Sequence, residues 1–541
     1  MDFHQICKLM EKPSTYSHPV SSVERRDTHI SAVFLAGDWV YKLKKPVDFG
    51  FLDFKDLESR RRYCQREVEL NRRLSEGVYK GVVAVIQDSE GSISLMEASC
   101  GKPAGVLEYA VKMRRLPDDR TLDSLLEKDG IDAAQARQLG RKLALFYRAA
   151  QRGPEIDELG DWETVRENVR ENFSQTEEFA GTLLDRDLWS VIRNASFDFL
   201  QRRKALFQMR VEEGRICDGH GDLRSDHVYF TDGIQIIDCI EFNDRFRYLD
   251  PASDLGFLHS DLIKQGHAET GFGIIENYTA ETGDLKLYRL LEFYVCYRAM
   301  VQAKVRCLRF EQLEGEKREE LRKEIEIYLR LAFESAFSFS RPTLWVVCGL
   351  PATGKTSLAR SLSDFFSAHL YSSDKMRTDL ASQLSGRPEV TSFGKGMYRP
   401  MVKRQVYSRM LLEAQRQLES RESVILDATY SKRGRREDVL QLAADQKVNC
   451  IFLETTCSRH TMKHRLERRD REQAETQARV RHLPEFLKSF EPLEELSDSM
   501  LLRVDTESSP EESLSRAVTG AYRLKYRQVH SNLEERPTRT S

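Results

Sequence analysis

Residues 349–356, GLPATGKT, fit the spacing GxxxxGK[ST] without a gap. Gly349 and Gly354 free the backbone to wrap an anion, and Leu350, Pro351, Ala352 and Thr353 complete a loop whose N–H groups can turn inward. A helix starting there adds the positive end of its dipole. Lys355 is long enough to reach the terminal phosphates of ATP, and the Thr356 hydroxyl is a hard oxygen ligand suited to Mg2+. The strand-like TLWVVC before the loop and the helical TSLARSLSDFF after it are the flanks such a cradle needs.

A second set of chemistry-bearing residues lies in the first half. His220-Gly221-Asp222 is followed by Asp238 at the end of the strand-like IQIID, then by Glu241 and by Asp254 within DPASDLGF. Upstream, Lys42 closes the apolar run WVYK, and Glu67 sits on a charged, amphipathic stretch; Lys44 and Glu69 are the alternatives for these two places. Phosphoryl transfer asks little covalent chemistry of a protein. It needs a cation on the phosphates, an acid beside the attacking hydroxyl and a carboxylate for metal. Those parts occur here in that order.

The elements that must position them follow from periodicity. HISAVFLAGDWVYKLK (29–44) predicts two strands around a Gly-Asp turn, 56–75 an amphipathic helix, and VLEYAVKMRRL (106–116) a strand ending in a hinge. Helices then dominate, with short strands near 215–238 and two long helices over 284–336. A Ser/Arg/Pro break at 337–342 restarts an α/β pattern. There LYSSDKMRTDL (370–380) predicts a short strand ending at Asp374, with Arg377 after it, and SVILDATY a buried strand ending at Asp427. The expected architecture is two domains, an α+β domain over 1–340 and an α/β domain with a parallel sheet over 341–525. The polar segment 526–541 is expected to be a disordered tail.

Bulk properties agree with a multidomain globular chain. The 541 residues exceed what one core supports, and 84 Lys+Arg against 86 Asp+Glu leave a net charge of −2, which argues against a protein that coats nucleic acid. No apolar run is long enough for a membrane span, and no secretory segment opens the chain. Ten cysteines without a CxxC pair are expected to be reduced thiols in the cytoplasm.

The first-half motifs resemble the aminoglycoside phosphotransferase and choline-kinase branch of the protein-kinase-like fold. The resemblance implies that Lys42, paired with Glu67, holds ATP, that Asp222 is the base or orients the acceptor, and that Asp238 binds metal. His227 stands where that branch has a metal-binding Asn, and is either a replacement ligand or a residue ordering the loop. The second half resembles P-loop kinases such as polynucleotide kinase, the zeta-toxin group and gluconate-type kinases. That implies Asp374 as the acceptor-side acid, Arg377 on acceptor or transferred phosphate, and Asp427 on metal through water. Helix-forming RHTMKHRLERRDRE (459–472) then becomes a lid bringing Arg465, Arg468 and Arg469 over nucleotide. The whole chain resembles a bacterial fusion of the two.

The expected function is an ATP- and Mg2+-dependent phosphotransferase acting on a hydroxyl of a small molecule, nucleotide or polynucleotide end, with no membrane partner. A nucleic-acid partner is allowed but not favoured. The alternative is an ATP-driven switch or binding protein, with an N-terminal pseudokinase and a P-loop ATPase.

Overall fold

In the computed structural model the described residues are 1–50, 52–87, 91–98, 105–128, 130–311, 313–383, 400–472 and 480–534. Alternating apolar residues build a six-stranded antiparallel sheet in the first half. Its strands are β1 (Val23–Asp27), β2 (Ser31–Ala36), β3 (Trp39–Lys44), β4 (Tyr79–Gln87), β5 (Ile93–Glu97) and β6 (Val106–Arg114), in the order β1-β2-β3-β6-β4-β5. Gly37 supplies the φ of +60° that the β2–β3 turn needs. Tyr41 and Leu43 enter one core cluster with Ala32 and Phe34, so Val40, Lys42 and Lys44 share the opposite face.

The helix Leu57–Asn71 covers that face. Asp56 caps it, accepting from the Glu58 and Ser59 amides at 2.9 Å each. Its buried residues Arg60, Cys64, Glu67, Val68 and Asn71 recur at helical spacing. The Arg60 Nε donates to both Glu108 oxygens, at 3.0 and 2.9 Å, which ties the helix to β6.

Two short ladders carry the loop segment 219–238. β7 (Cys217–Asp218) pairs with β10 (Tyr248–Leu249), and β8 (Val228–Tyr229) with β9 (Gln235–Ile236). The latter turns through Asp232 and Gly233, both at positive φ. Beyond them lie the helix Pro251–Lys264 and the two expected long helices, Tyr288–Phe310 and Glu316–Phe339.

In the second half, TLWVVC is buried at all six positions, as a strand covered on both faces must be. It is β11 (Thr343–Cys348), the centre of a five-stranded parallel sheet with β12 (His369–Ser372), β13 (Val424–Asp427), β14 (Asn449–Thr456) and β15 (Leu501–Asp505), in the order β12-β13-β11-β14-β15. β12 stops before Asp374, which lies instead in the first turn of the helix Ser373–Gln383, where the helix dipole favours an acid.

The chain divides into two compact units, Met1–Trp189 with Leu200–Asp284 and Tyr294–Ala332, and Ser190–Phe199 with Leu285–Phe293 and Phe333–Ser541. Ring stacking accounts for the two short segments in the second unit. Phe199 packs against Phe293 at 4.9 Å and against Phe339 at 5.0 Å. Among the described residues the cysteines are free thiols, and no helix is long and apolar enough to cross a membrane.

The helix Pro510–Glu534 corrects the expected start of the tail at 526. Leu524 and Val529 are buried, and the Gln528 amide donates to the Cys450 and Ser499 carbonyls at 2.9 and 2.8 Å. Residues 535–541 lie outside the described residues. Ending the chain at Lys525 is expected to destabilise the second unit by on the order of 3 kcal/mol, from lost valine burial and two hydrogen bonds. Urea unfolding of the truncated and full chains measures this.

Candidate active sites

Lys42 Nζ donates to Asp238 Oδ1 at 2.6 Å and lies 3.0 Å from Glu67 Oε1. Lys44, fully buried one pleat further along β3, donates to Glu67 Oε2 at 2.7 Å and to Glu241. The result is a continuous chain, Asp238–Lys42–Glu67–Lys44–Glu241. Both lysines share Glu67, but Lys42 is the one that reaches Asp238; Glu69 is exposed. Burial works against the Lys42 charge, yet Asp238 and Glu67 outweigh it and raise its pKa well above the usual lysine value. Burial alone would raise the Asp238 carboxyl, but Lys42 and His227 hold it well below the usual carboxylate range. Asp238 also takes φ of +64°, with its amide donating to the Tyr79 hydroxyl at 3.3 Å and the Cys239 amide to Asn71 Oδ1 at 2.9 Å.

The loop before β8 is held by Asp254, which is fully buried. Its carboxylate accepts from the His220 and Gly221 amides at 2.8 and 2.9 Å and from the Tyr147 hydroxyl at 2.9 Å. Gly221 is required here: φ is +87°, and a Cβ would stand 2.8 Å from the Phe246 carbonyl oxygen. The Asp222 amide donates to His220 Nδ1 at 3.2 Å, so His220 carries its proton on Nε2, 3.0 Å from the Ile237 carbonyl. Burial pulls the His220 pKa down to about 4. A neutral ring is what this fold accepts, so its contribution is complete above 6.5 and is lost as pH falls toward about 4. In urea titrations across that window His220 is expected to contribute a loss on the order of 3 kcal/mol, which His220→Asn removes, leaving the loss that buried His259 adds in the same direction.

Asp222 follows on this loop, its side chain 32% exposed. Burial pushes its carboxyl up, but Arg224, whose Nε is 3.5 Å away, and His227 bring it below the usual carboxylate value. It is therefore ionised at neutral pH and suited to orient a hydroxyl. His227 donates from Nδ1 to the Asp222 carbonyl at 2.9 Å, and its Nε2 accepts from Arg224 at 2.9 Å. Both ring nitrogens are engaged, with Asp238 3.8 Å from Nε2. Arg224 is a site residue the sequence reading passed over; its place two residues after Asp222 was the available signal. Also passed over was an apolar patch beside Lys42, where Val40, Met113, Leu116, Tyr229 and Ile237 belong to one cluster. Val40 and Lys42 share a strand face, and Ile237 immediately precedes Asp238.

In the second unit the glycines of 349–356 do what their spacing implies. Gly349 has φ of +131° and would place a Cβ 2.6 Å from the Thr455 carbonyl oxygen; Gly354 has φ of +87°. Leu350, Pro351, Ala352 and Thr353 form the turn, and Thr353 is pinned by the Thr455 hydroxyl at 2.7 Å. Lys355 opens the helix Lys355–Phe366 and donates to the Leu350 carbonyl at 2.6 Å. Thr356 Oγ1 donates to Asp427 Oδ2 at 2.8 Å, joining the loop to the end of β13. Burial raises the Asp427 pKa, offset in part by Lys355 and the Thr356 and Ser372 hydroxyls.

Arg377 donates to Asp374 at 2.6 Å, so the two form one unit, with the Asp374 side chain largely exposed. On the helix Arg459–Glu472, Arg465 binds the Ala352 carbonyl at 3.3 Å and the Thr506 carbonyl at 2.6 Å, fastening helix to loop. Arg469 stands close enough to Lys355 to lower its pKa together with burial, the larger cause. Among the described residues no group of three His, Cys, Asp or Glu side chains is placed to cage a metal.

Comparison with known proteins matches both halves. The family described as phosphotransferase enzyme family matches residues 51–288, and the one described as AAA domain matches 344–493. An aminoglycoside 2'-phosphotransferase-IIIa structure covers 62% of this chain and 99% of its own at 16% identity and TM-score 0.36. A gluconokinase from Sinorhizobium meliloti covers 36% and 98% at 18% identity and TM-score 0.26. The uncharacterized protein Rv2004c of Mycobacterium tuberculosis is 34% identical over 448 residues, 82% of this chain and 85% of that protein. Its counterpart Mb2027c of Mycobacterium bovis matches equally. The chain belongs to the family of these mycobacterial proteins, its N-terminal part matching the phosphotransferase enzyme family and its C-terminal part, built on the parallel sheet, the AAA domain family.

Proposed function

We propose that the chain is an ATP- and Mg2+-dependent phosphotransferase with two nucleotide sites, each transferring to a hydroxyl acceptor. The observation that carries this reading is the convergence of Lys42, Glu67 and Asp238, from positions up to 196 residues apart, beside the Asp222 loop. In the N-terminal site the apolar patch at Val40, Met113, Leu116, Tyr229 and Ile237 takes the base. Lys42 holds phosphate and ionised Asp222 orients the acceptor hydroxyl. In the C-terminal site the 349–356 loop and Lys355 hold the phosphates, Arg469 covers them, and Asp374 with Arg377 faces the acceptor.

Hard oxygen donors suit Mg2+. The Thr356 hydroxyl and Asp427 carboxylate fit it in the second unit, and the Asp238 carboxylate in the first. His227 fits poorly, because its Nε2 lone pair already accepts from Arg224. When bound, Mg2+ offsets charge on the phosphates. The chain's own residues supply the rest: they fix the loops, aim the acceptor and neutralise the remaining charge.

The test is ATP turnover, with and without a panel of hydroxyl compounds, for wild type, Lys355→Ala, Asp222→Ala and the double variant. Each single variant is expected to lose one part of turnover, and the double variant all of it. Turnover that no hydroxyl compound stimulates and that yields only inorganic phosphate would instead favour the ATP-driven switch. Unchanged turnover in all variants sinks the kinase reading itself.

A further inference from the structure

Two buried polar atoms that lack a hydrogen-bond partner in the first unit belong to residues lining one recess. The helices Trp162–Ser174 and Tyr288–Phe310 form its sides. Asn168, Arg245, Ser253, Tyr297 and Arg298 line a cavity of about 40 Å³, room for small polar groups. Arg245 Nε and Asn168 Oδ1 are buried there without a hydrogen bond, as is Asn172 Nδ2, one turn beyond Asn168 on a side chain only 2% exposed. Lys304 lies two turns beyond Tyr297 on the same helix face, within the fields of Glu171 and Arg245.

The charges are unevenly matched. Glu171 accepts from Arg245 at 2.9 and 2.5 Å. Asp250, the acid in the lining, accepts from buried Arg210 at 2.6 and 2.8 Å. Lys304 makes no hydrogen bond among the described residues. Burial outweighs the pull of Glu171 and brings its pKa down to about 8. Two buried donors, on Arg245 and Asn172, with the Lys304 ammonium in the field of the same Glu171–Arg245 pair, thus stand against one vacant acceptor, Asn168 Oδ1. A carboxylate or phosphate satisfies the donors, and a hydroxyl satisfies Asn168. The recess adjoins the catalytic loop, since Arg298 Nη1 donates to the carbonyl of Gly221, the residue before Asp222, at 3.0 Å.

We propose that this recess binds the acceptor of the N-terminal site, and that the acceptor is a small hydroxyl compound bearing a carboxylate or phosphate rather than an amine. The inference rests on the phosphotransferase reading of that site. In the transfer, the acceptor oxygen bonds to the γ-phosphorus of ATP, the bond from that phosphorus to the ADP oxygen breaks, and the hydroxyl proton leaves by way of Asp222. The products are a phosphate ester, ADP and a proton.

The test uses the full chain and four compounds on one three-carbon frame: glycerate, glycerol 3-phosphate, glycerol and serinol. Acylation of Lys304 near pH 8 is read by mass spectrometry. Glycerate or glycerol 3-phosphate is expected to slow labelling at least about threefold, as occupancy at twice Kd does, and glycerol and serinol to leave it unchanged. Arg245→Gln and Asn172→Ala each abolish that protection. Protection by glycerol or serinol, or by neither anion, overturns the inference. A Lys355→Ala background then reads transfer at the N-terminal site alone. Protection without transfer overturns the phosphotransferase reading and leaves the anion site standing; transfer to serinol but not to the anions overturns the inference.

Discussion

Lys42→Met lowers phosphate transfer at the N-terminal site by about 10²–10³-fold, the loss expected when one preorganised charged donor is removed from developing phosphate charge. Nucleotide affinity falls less, by roughly 10- to 100-fold, because a single charge-assisted hydrogen bond contributes about 1.5–3 kcal/mol. Both are measured in a Lys355→Ala background, by transfer assay and calorimetry. The fold suffers little. Asp238, 39% exposed at its side chain, regains water, and Glu67 keeps Lys44. If Lys42→Met binds and transfers normally while a folded Lys44 variant does not, the roles of the two lysines are exchanged.

Lys44→Met acts on stability instead. The ammonium is fully buried between Glu67 and Glu241, over the Phe54 ring at 5.2 Å. Its removal leaves Glu241, whose pKa burial already raises, with no counter-charge in contact among the described residues, while Glu67 keeps Lys42. Breaking such a pair is expected to cost about 3–5 kcal/mol, read by urea unfolding. Lys44→Met with Glu241→Leu removes both charges and is expected to recover most of that loss, since an apolar pair has no desolvation penalty. A double variant no more stable than the single one would show that the cost lies in packing against Phe54 rather than in charge.

The sequence made much of this legible because the relevant signals are local. Strand alternation placed Lys42 and Lys44 on one face of β3, and periodicity placed Glu67, with Glu69 as its alternative, on an amphipathic helix. The GLPATGKT run needs only its own glycines and flanks to form a phosphate cradle, so Gly349 through Thr356 were readable without any distant contact. The end of β12 and the extent of the last helix were misplaced. The first depends on an acid preferring a helix N-terminus over a strand end, and the second on Gln528 finding carbonyls of Cys450 and Ser499.

What only the tertiary structure decided concerns residues that meet across long stretches of chain. Composition and spacing left Lys42 and Lys44 interchangeable; the fold separates them, because Asp238 is within reach of one and Glu241 of the other. His227 was open between metal ligand and loop brace, and the fold sets Arg224 and the Asp222 carbonyl beside its two nitrogens. The recess at Arg245, Asn172 and Lys304 had no signature, since its groups come from three separate helices, each ordinary by itself. Periodicity reports which face a side chain occupies, whereas charge pairing and unmet hydrogen bonds depend on which faces the whole chain brings together.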